Sequence, residues 1–273
     1  MRNNPYKLLI MDIDGTLVGD GGAISPENRE ALAKVRGSGV QVSLSTGRSS
    51  LGCSVIIDQL ELDGYHIFFD GALVSHLSQE EEVFIQPLSQ GVVKEAVEFA
   101  HLHGIDFELY SKKHYFAERE TWSTDAHSKF FSIEPTIIDF SKIPEQEEII
   151  KGGMVSRNPE EEARAREFCR HFEGSLHSTW VRTPTYLGVD FINIVASGVS
   201  KGKALEALTS HLGLDLSEVI AIGDGTNDIS LLSTAGMAVA MGNAPDEVKA
   251  VADHITLDVD HNGMAVAIDK FLL

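Results

Sequence analysis

Short apolar runs that stop abruptly at an acidic, hydroxyl or glycine residue alternate along this chain with segments of helical period. Leu8-Leu9-Ile10-Met11 stops at Asp12 and Val219 to Ile222 stops at Gly223-Asp224, while Val40 to Leu44, with Gln41 and Ser43 inside it, reads as a strand ending before Ser45. Ser25-Pro26-Glu27 reads as a helix start, with Ser as N-cap and Pro at the first helical position. Lys201 to Leu212 reads as a helix, Asn227 opens a short one, and another ends at Phe271. His66 to Phe69 and Met237 to Met241 complete the set of strands expected outside the middle of the chain. Strands alternating with helices predict an α/β fold built on a parallel sheet.

The middle breaks this rhythm. From about Val83 to Gly188 the strand candidates, such as Asp106 to Tyr110 and Lys151 to Val155, are shorter and more polar. They lie among helices expected at Val92 to His103 and Glu160 to Phe172, and most of the aromatic residues fall here. The organisation expected is a core made of residues 1–83 and 189–273, with residues 84–188 inserted as a separate α/β lobe.

Charge narrows the partners. Lys and Arg number 22 against 41 Asp and Glu, a formal net charge of −19, which repels nucleic acid and anionic membrane surfaces. No apolar run approaches the ~20 residues that span a bilayer. Two cysteines, Cys53 and Cys169, make no disulfide framework, and Leu8 to Met11 is too short and too soon followed by carboxylates for a signal peptide. A cytoplasmic location is expected, with no protein partner inferred.

Four motifs carry chemistry. Asp12-Ile13-Asp14-Gly15-Thr16 follows the first strand, and two carboxylates two residues apart suit a nucleophile, Asp12, beside an acid and base, Asp14. Ser45-Thr46-Gly47-Arg48 offers a hydroxyl for a phosphoryl oxygen, a backbone that a ligand can approach, and a cation for an anionic substrate or a carboxylate. Lys201 opens a helix, where the dipole disfavours a cation unless it faces anions. Asp224, Asn227 and Asp228, in Gly223-Asp224-Gly225-Thr226-Asn227-Asp228, supply oxygen ligands of the kind Mg²⁺ takes. Each motif alone could be a capped turn or a surface lysine. Open α/β sheets, however, bind ligands at the C-terminal ends of their strands, where three of the four motifs fall. Asp12, Asp14, Asp224 and Asp228 could not share one crevice without a divalent cation and a lysine. The joint expectation is Mg²⁺-dependent phosphoryl transfer.

With these residues in place, the chain resembles the haloacid-dehalogenase (HAD) superfamily, in particular its Cof-type, sugar-phosphatase-like group with a type IIB cap. The resemblance rests on the four motifs and on Met241-Gly242-Asn243-Ala244, followed by Glu247-Val248-Lys249. It implies a Rossmann-like core with an inserted cap that usually sets substrate specificity. It also implies attack by Asp12, proton transfer by Asp14, and phosphoryl binding by Thr46 and Lys201. Mg²⁺ would be held by Asp12, the Asp14 carbonyl and Asp224, supported by Asn227 and Asp228. Gly47, Arg48, Asp70 and Gly71 are its substrate-binding candidates, with one departure: the group commonly has Asn-Gly-Ala where this chain has Asp70-Gly71-Ala72. The activity implied is hydrolysis of a small phosphorylated metabolite, most simply a sugar phosphate, through an aspartyl-phosphate. A phosphomutase of the phosphomannomutase type is the alternative. His114, Tyr115, Arg182 and Tyr186 are polar or aromatic candidates in the inserted lobe.

Overall fold

The computed structural model describes residues 4–19, 22–131, 133–182 and 186–273. In chain order the strands are β1 (Leu8–Met11), β2 (Gln41–Leu44), β3 (Tyr65–Phe68), β4 (Leu73–His76), β5 (Glu81–Ile85), β6 (Glu108–Tyr110) and β7 (Tyr115–Ala117). They continue as β8 (Thr136–Ile137), β9 (Lys151–Ser156), β10 (Leu176–Arg182), β11 (Asp190–Ala196), β12 (Val219–Gly223), β13 (Met237–Ala240) and β14 (His254–Ile255). The α-helices are α1 (Pro26–Gly37), α2 (Ser54–Gln59), α3 (Gln90–His103), α4 (Trp122–Phe131), α5 (Pro159–His171), α6 (Lys201–Leu212), α7 (Ile229–Thr234), α8 (Asp246–Lys249) and α9 (Gly263–Phe271). None of the described helices is long and apolar enough to cross a membrane.

The chain divides into two compact units. Unit 1 comprises Met1–Thr46, Val55–Phe84 and Ser200–Leu273; unit 2 comprises Gly47–Ser54 and Ile85–Val199. Unit 2 thus ends further along the chain than the Gly188 read from the sequence. The reason is β11, which pairs antiparallel with both β9 and β10.

Unit 1 is built on a parallel sheet of order β14-β13-β12-β1-β2. β1 lies between two neighbours, and every residue in it is buried, which is why its sequence is a continuous apolar run rather than an alternating one. Register then decides what meets what. Met11 pairs with Ile222 on one side and Leu44 on the other, so the three strands end level and their following loops leave from one edge. Leu8, Ile10, Val219 and Ala221 pack with Leu205 and Leu208 of α6 and Leu231 of α7 in one core cluster. α6 is capped at its start by the Ser200 hydroxyl, which accepts from the Lys203 N–H, and closed by Gly213 in the left-handed region.

β3 belongs to a smaller sheet, β3-β4-β5, and meets β2 through side chains more than through a ladder. Ser43 Oγ donates to the Tyr65 carbonyl at 2.7 Å, and His66 Nδ1 accepts the Leu44 N–H at 3.1 Å. A histidine can do this only when uncharged at that nitrogen. Burial, reinforced by His76, lowers its pKa to about 3, so the imidazole is neutral. The strand stops at Phe68, one residue earlier than its apolar pattern suggests. Phe69 and Asp70 both take positive φ, 53° and 55°, in a tight turn.

Unit 2 carries a sheet of order β10-β11-β9-β6-β7-β8, antiparallel except for β7 and β8. Leu109, Phe116, Met154, Ile192 and Ile194 turn to one side of it and share a core with Ala96 and Ala100 of α3 and Ala165 and Phe168 of α5. Alternation along β6 sends Glu108 and Tyr110 to the opposite side. There Glu108 is buried, accepts from the Tyr110 hydroxyl at 2.7 Å and from the Ser123 hydroxyl, and lies 2.8 Å from His127 Nδ1. Burial alone would raise this carboxyl. His127, by charge and hydrogen bond, together with the Ser123 and Tyr110 hydroxyls, outweighs it and holds the pKa at about 2.

A buried acid with that many partners is costly to delete. Glu108→Leu strands two hydroxyls and an imidazole, and should lower stability by about 3–5 kcal/mol. Both tryptophans, Trp122 and Trp180, lie in unit 2, so their fluorescence during urea unfolding reads this change directly. An unchanged midpoint would mean that the cluster contributes nothing. Because the folded carboxyl is depressed, its contribution in the wild type should be present above about pH 4.5 and fade as pH falls towards about 2.

Candidate active site

Three level strand ends deliver the first residues of the site. The Asp12 N–H donates to the Ile222 carbonyl at 3.0 Å, and the Ser45 N–H donates to the Met11 carbonyl at 2.8 Å. These bonds continue the ladders one step past β1 and β2, so Asp12 and Thr46 are placed by the sheet rather than by loops. Thr46 is pinned further: its N–H donates to Ile67 O at 2.9 Å, and its carbonyl accepts the Asp70 N–H at 3.0 Å.

Lys201, at the first turn of α6, is completely buried and joins two of the loops. Its ammonium donates to Asp12 Oδ1 and to Asp228 Oδ1, each at 2.6 Å. Asp228 is equally enclosed. Its second oxygen accepts the backbone N–H groups of Asp224 and Gly225 at 3.0 and 2.9 Å, which folds the loop after β12 around it. Asp224 accepts from the Thr16 hydroxyl at 2.7 Å and from Asn243 Nδ2 at 3.2 Å. Gly15 makes this close approach possible: it has φ of 87°, and a Cβ there would lie 2.2 Å from Asp224 Oδ2. Gly71, at φ 107°, serves a similar end, since a Cβ would lie 2.3 Å from the Ser200 carbonyl just before Lys201.

Electrostatics show what this arrangement lacks. The carboxyl of Asp12 is pushed well above the usual range, first by burial; Lys201 opposes this, while Asp228, Asp224 and Asp14 add to it. Burial and then Asp228 raise Asp224 to about 7, against the Thr16 hydrogen bond and Lys201. Burial would lower the Lys201 ammonium, but the carboxylates of Asp12, Asp228 and Asp70 override it and hold the pKa above its ordinary value. One lysine faces more negative charge than it can balance. Asp12, Asp224 and Asp228 each offer an oxygen, all within 4.8 Å of one another. An all-oxygen, electron-rich set with a deficit of positive charge fits a small hard cation.

Unit 1 therefore brings Asp12, Asp14, Asp224, Asp228 and Lys201 into one electrostatic cluster. Asp70 and Asn227 adjoin it, with Asn227 Nδ2 donating to Asp70 Oδ1 at 2.8 Å. Gly47 and Arg48 belong to unit 2, where the Gly47 carbonyl accepts from Lys151 Nζ at 3.2 Å. Among the candidates in the inserted lobe, Tyr115 is buried and stacked on Tyr110, with ring centroids 4.6 Å apart. Arg182 pairs with Asp190 at 2.5 Å, and His114 lies 2.8 Å from Glu147. Sequence reading assigned no role to Thr16 or Asn243, the two residues that orient Asp224. The available signal for Asn243 was its place just after a fourth parallel strand, β13.

Comparison with known proteins agrees with this construction. A family profile of haloacid dehalogenase-like hydrolases matches residues 9–268. A Streptococcus pyogenes protein whose name assigns it provisionally to the phosphatases is 31% identical, over 98% of each chain. The 5-amino-6-(5-phospho-D-ribitylamino)uracil phosphatase YitU of Bacillus subtilis is 28% identical over 99% of each chain. A solved sugar phosphatase of HAD subclass IIB superimposes with a TM-score of 0.81 at 26% identity, covering 97% of this chain and 99% of its own. The chain belongs to the haloacid dehalogenase-like hydrolases, as a Cof-type hydrolase of the phosphatase kind.

Proposed function

We propose that the protein is a Mg²⁺-dependent phosphatase of small phosphorylated metabolites, most simply sugar or polyol phosphates, acting through an aspartyl-phosphate in the cytoplasm. The observation that carries this reading is the buried cluster in which Lys201 spans Asp12 and Asp228 at 2.6 Å while Asp12 and Asp224 stay protonated beyond their ordinary range. The substrate class is supported by the solved sugar phosphatase and by the relative acting on a phosphorylated ribityl chain.

Asp12, the Asp14 carbonyl, Asp224, Asn227 and Asp228 would hold the cation, which when bound neutralises the surplus negative charge and draws electron density from the phosphoryl group. The other steps fall to the chain's own groups. Lys201 holds one Asp12 oxygen, which orients the carboxylate and compensates the charge of an arriving phosphate. Asp12 attacks phosphorus, and the ester oxygen leaves as Asp14 gives it a proton. Asp14 then takes a proton from water as the water attacks the acyl phosphate, releasing inorganic phosphate and regenerating Asp12. Thr46 donates its hydroxyl to a phosphoryl oxygen, and Gly47, Arg48 and Gly71 serve substrate binding.

Phosphate release from p-nitrophenyl phosphate, and then from a panel of phosphorylated sugars, polyols and acids, tests the reading. Activity should need Mg²⁺ and vanish in excess EDTA. Ca²⁺ should inhibit, since it accepts about 6–8 oxygen ligands in loose geometry where Mg²⁺ holds a strict octahedron. Full activity in EDTA would end the metal-dependent account. A panel on which sugar and polyol phosphates are the poorest substrates would end the substrate assignment.

A further inference from the structure

Asp70 occupies a buried turn between β3 and β4. The turn holds Phe69 and Asp70 at positive φ, and it is anchored by the Asp70 N–H to the Thr46 carbonyl and by the close approach of Gly71 to Ser200. The carboxylate, in a residue 4% exposed, accepts from Asn227 Nδ2 at 2.8 Å. With the Asp70 oxygen accepting, the nitrogen end of the Asn227 amide is the one that faces it. The nitrogen must turn to Asp70 and the carbonyl oxygen away. That oxygen lies against Gly225, in the loop that carries Asp224 and Asp228: a Cβ on Gly225 would be 2.5 Å from it. An asparagine at position 70 could donate or accept equally well and would leave both amide orientations open.

We infer that Asp70 is a positioning residue, which acts through Asn227 by locking its amide so that oxygen rather than nitrogen is offered to the cation site. A hard cation takes oxygen ligands, and an inverted amide would present it with an N–H₂ group. Groups that orient metal ligands commonly cost about 10–100-fold in metal affinity when removed. The inference rests on the Mg²⁺ reading above, and the experiment separates the two.

Mg²⁺ is titrated calorimetrically into the metal-free protein for the wild type, Asp70→Ala, Asn227→Ala and the double variant. Asp70→Ala should weaken binding by about 10-fold or more. In the Asn227→Ala background the same change should weaken it by less than about 2-fold, because the residue through which Asp70 acts is gone. The near-isosteric Asp70→Asn should fall between wild type and Asp70→Ala, and it keeps the test decisive if the alanine variant unfolds. Equal losses in both backgrounds would reduce Asp70 to a plain charge effect and overturn the inference. So would unchanged Mg²⁺ affinity accompanied by a reordered preference among sugar phosphates, which would make Asp70 a reader of substrate hydroxyls. A wild type that binds no Mg²⁺ would instead overturn the cation reading, and this inference with it.

Discussion

Asp12→Asn will abolish phosphate release, lowering kcat by at least about a thousandfold, while leaving a folded protein. An amide fills nearly the same volume as a carboxylate but is a very poor nucleophile. Its effect on stability should also be unlike that of a buried-charge deletion. Burial and the surrounding carboxylates already disfavour the ionised Asp12, and Lys201 keeps Asp228 as a partner when Asp12 is neutral. In metal-free buffer the variant should therefore unfold at a temperature equal to or above the wild type. Near-normal turnover would remove Asp12 from the mechanism, and a large loss of stability would contradict the charge crowding described above.

Lys201→Met should do the reverse, harming fold and activity together. Methionine keeps the length and the apolar stem but withdraws the ammonium from between Asp12 and Asp228. Deleting one partner of a buried ionic cluster typically costs about 3–5 kcal/mol. Added Mg²⁺ should restore part of that loss, since a bound cation relieves the same repulsion; in the wild type, with the lysine present, the gain should be smaller. Urea unfolding with and without Mg²⁺ reads both effects. Stability within about 1 kcal/mol of wild type, the range expected for an exposed ion pair, would contradict the assignment of Lys201 as the cluster's central cation.

What could be read from the residues, and what could not, follows from the range of the interactions. β1 and β12 were legible because strands buried on both faces must be apolar throughout and must end where polar chemistry begins. Lys201 stood out because a lysine on the positive end of a helix is unfavourable unless anions face it, an argument that needs only local sequence. Register was not legible, yet it is register that sets Asp12, Ser45 and Gly223 level. The turn at Phe69 and Asp70 was equally hidden. A phenylalanine at positive φ contradicts local preference, and the turn that holds it is anchored by Thr46 and Ser200, far away in sequence. The bond from Asn227 to Asp70 spans 157 positions and could not be inferred from either motif. In unit 2, the pairing of β11 with both β9 and β10 is not legible from the residues of β11 alone, and it is this pairing that carries the lobe past Gly188 to Val199.

The proposed hydrolysis consists of two successive displacements at phosphorus, first by Asp12 and then by water. The most direct test is the stereochemical course of hydrolysis of a phosphorothioate monoester made chiral at phosphorus, carried out in isotope-labelled water. Two in-line displacements predict net retention of configuration in the released thiophosphate. Net inversion would mean a single attack by water, and would contradict the aspartyl-phosphate on which the roles of Asp12 and Asp14 rest.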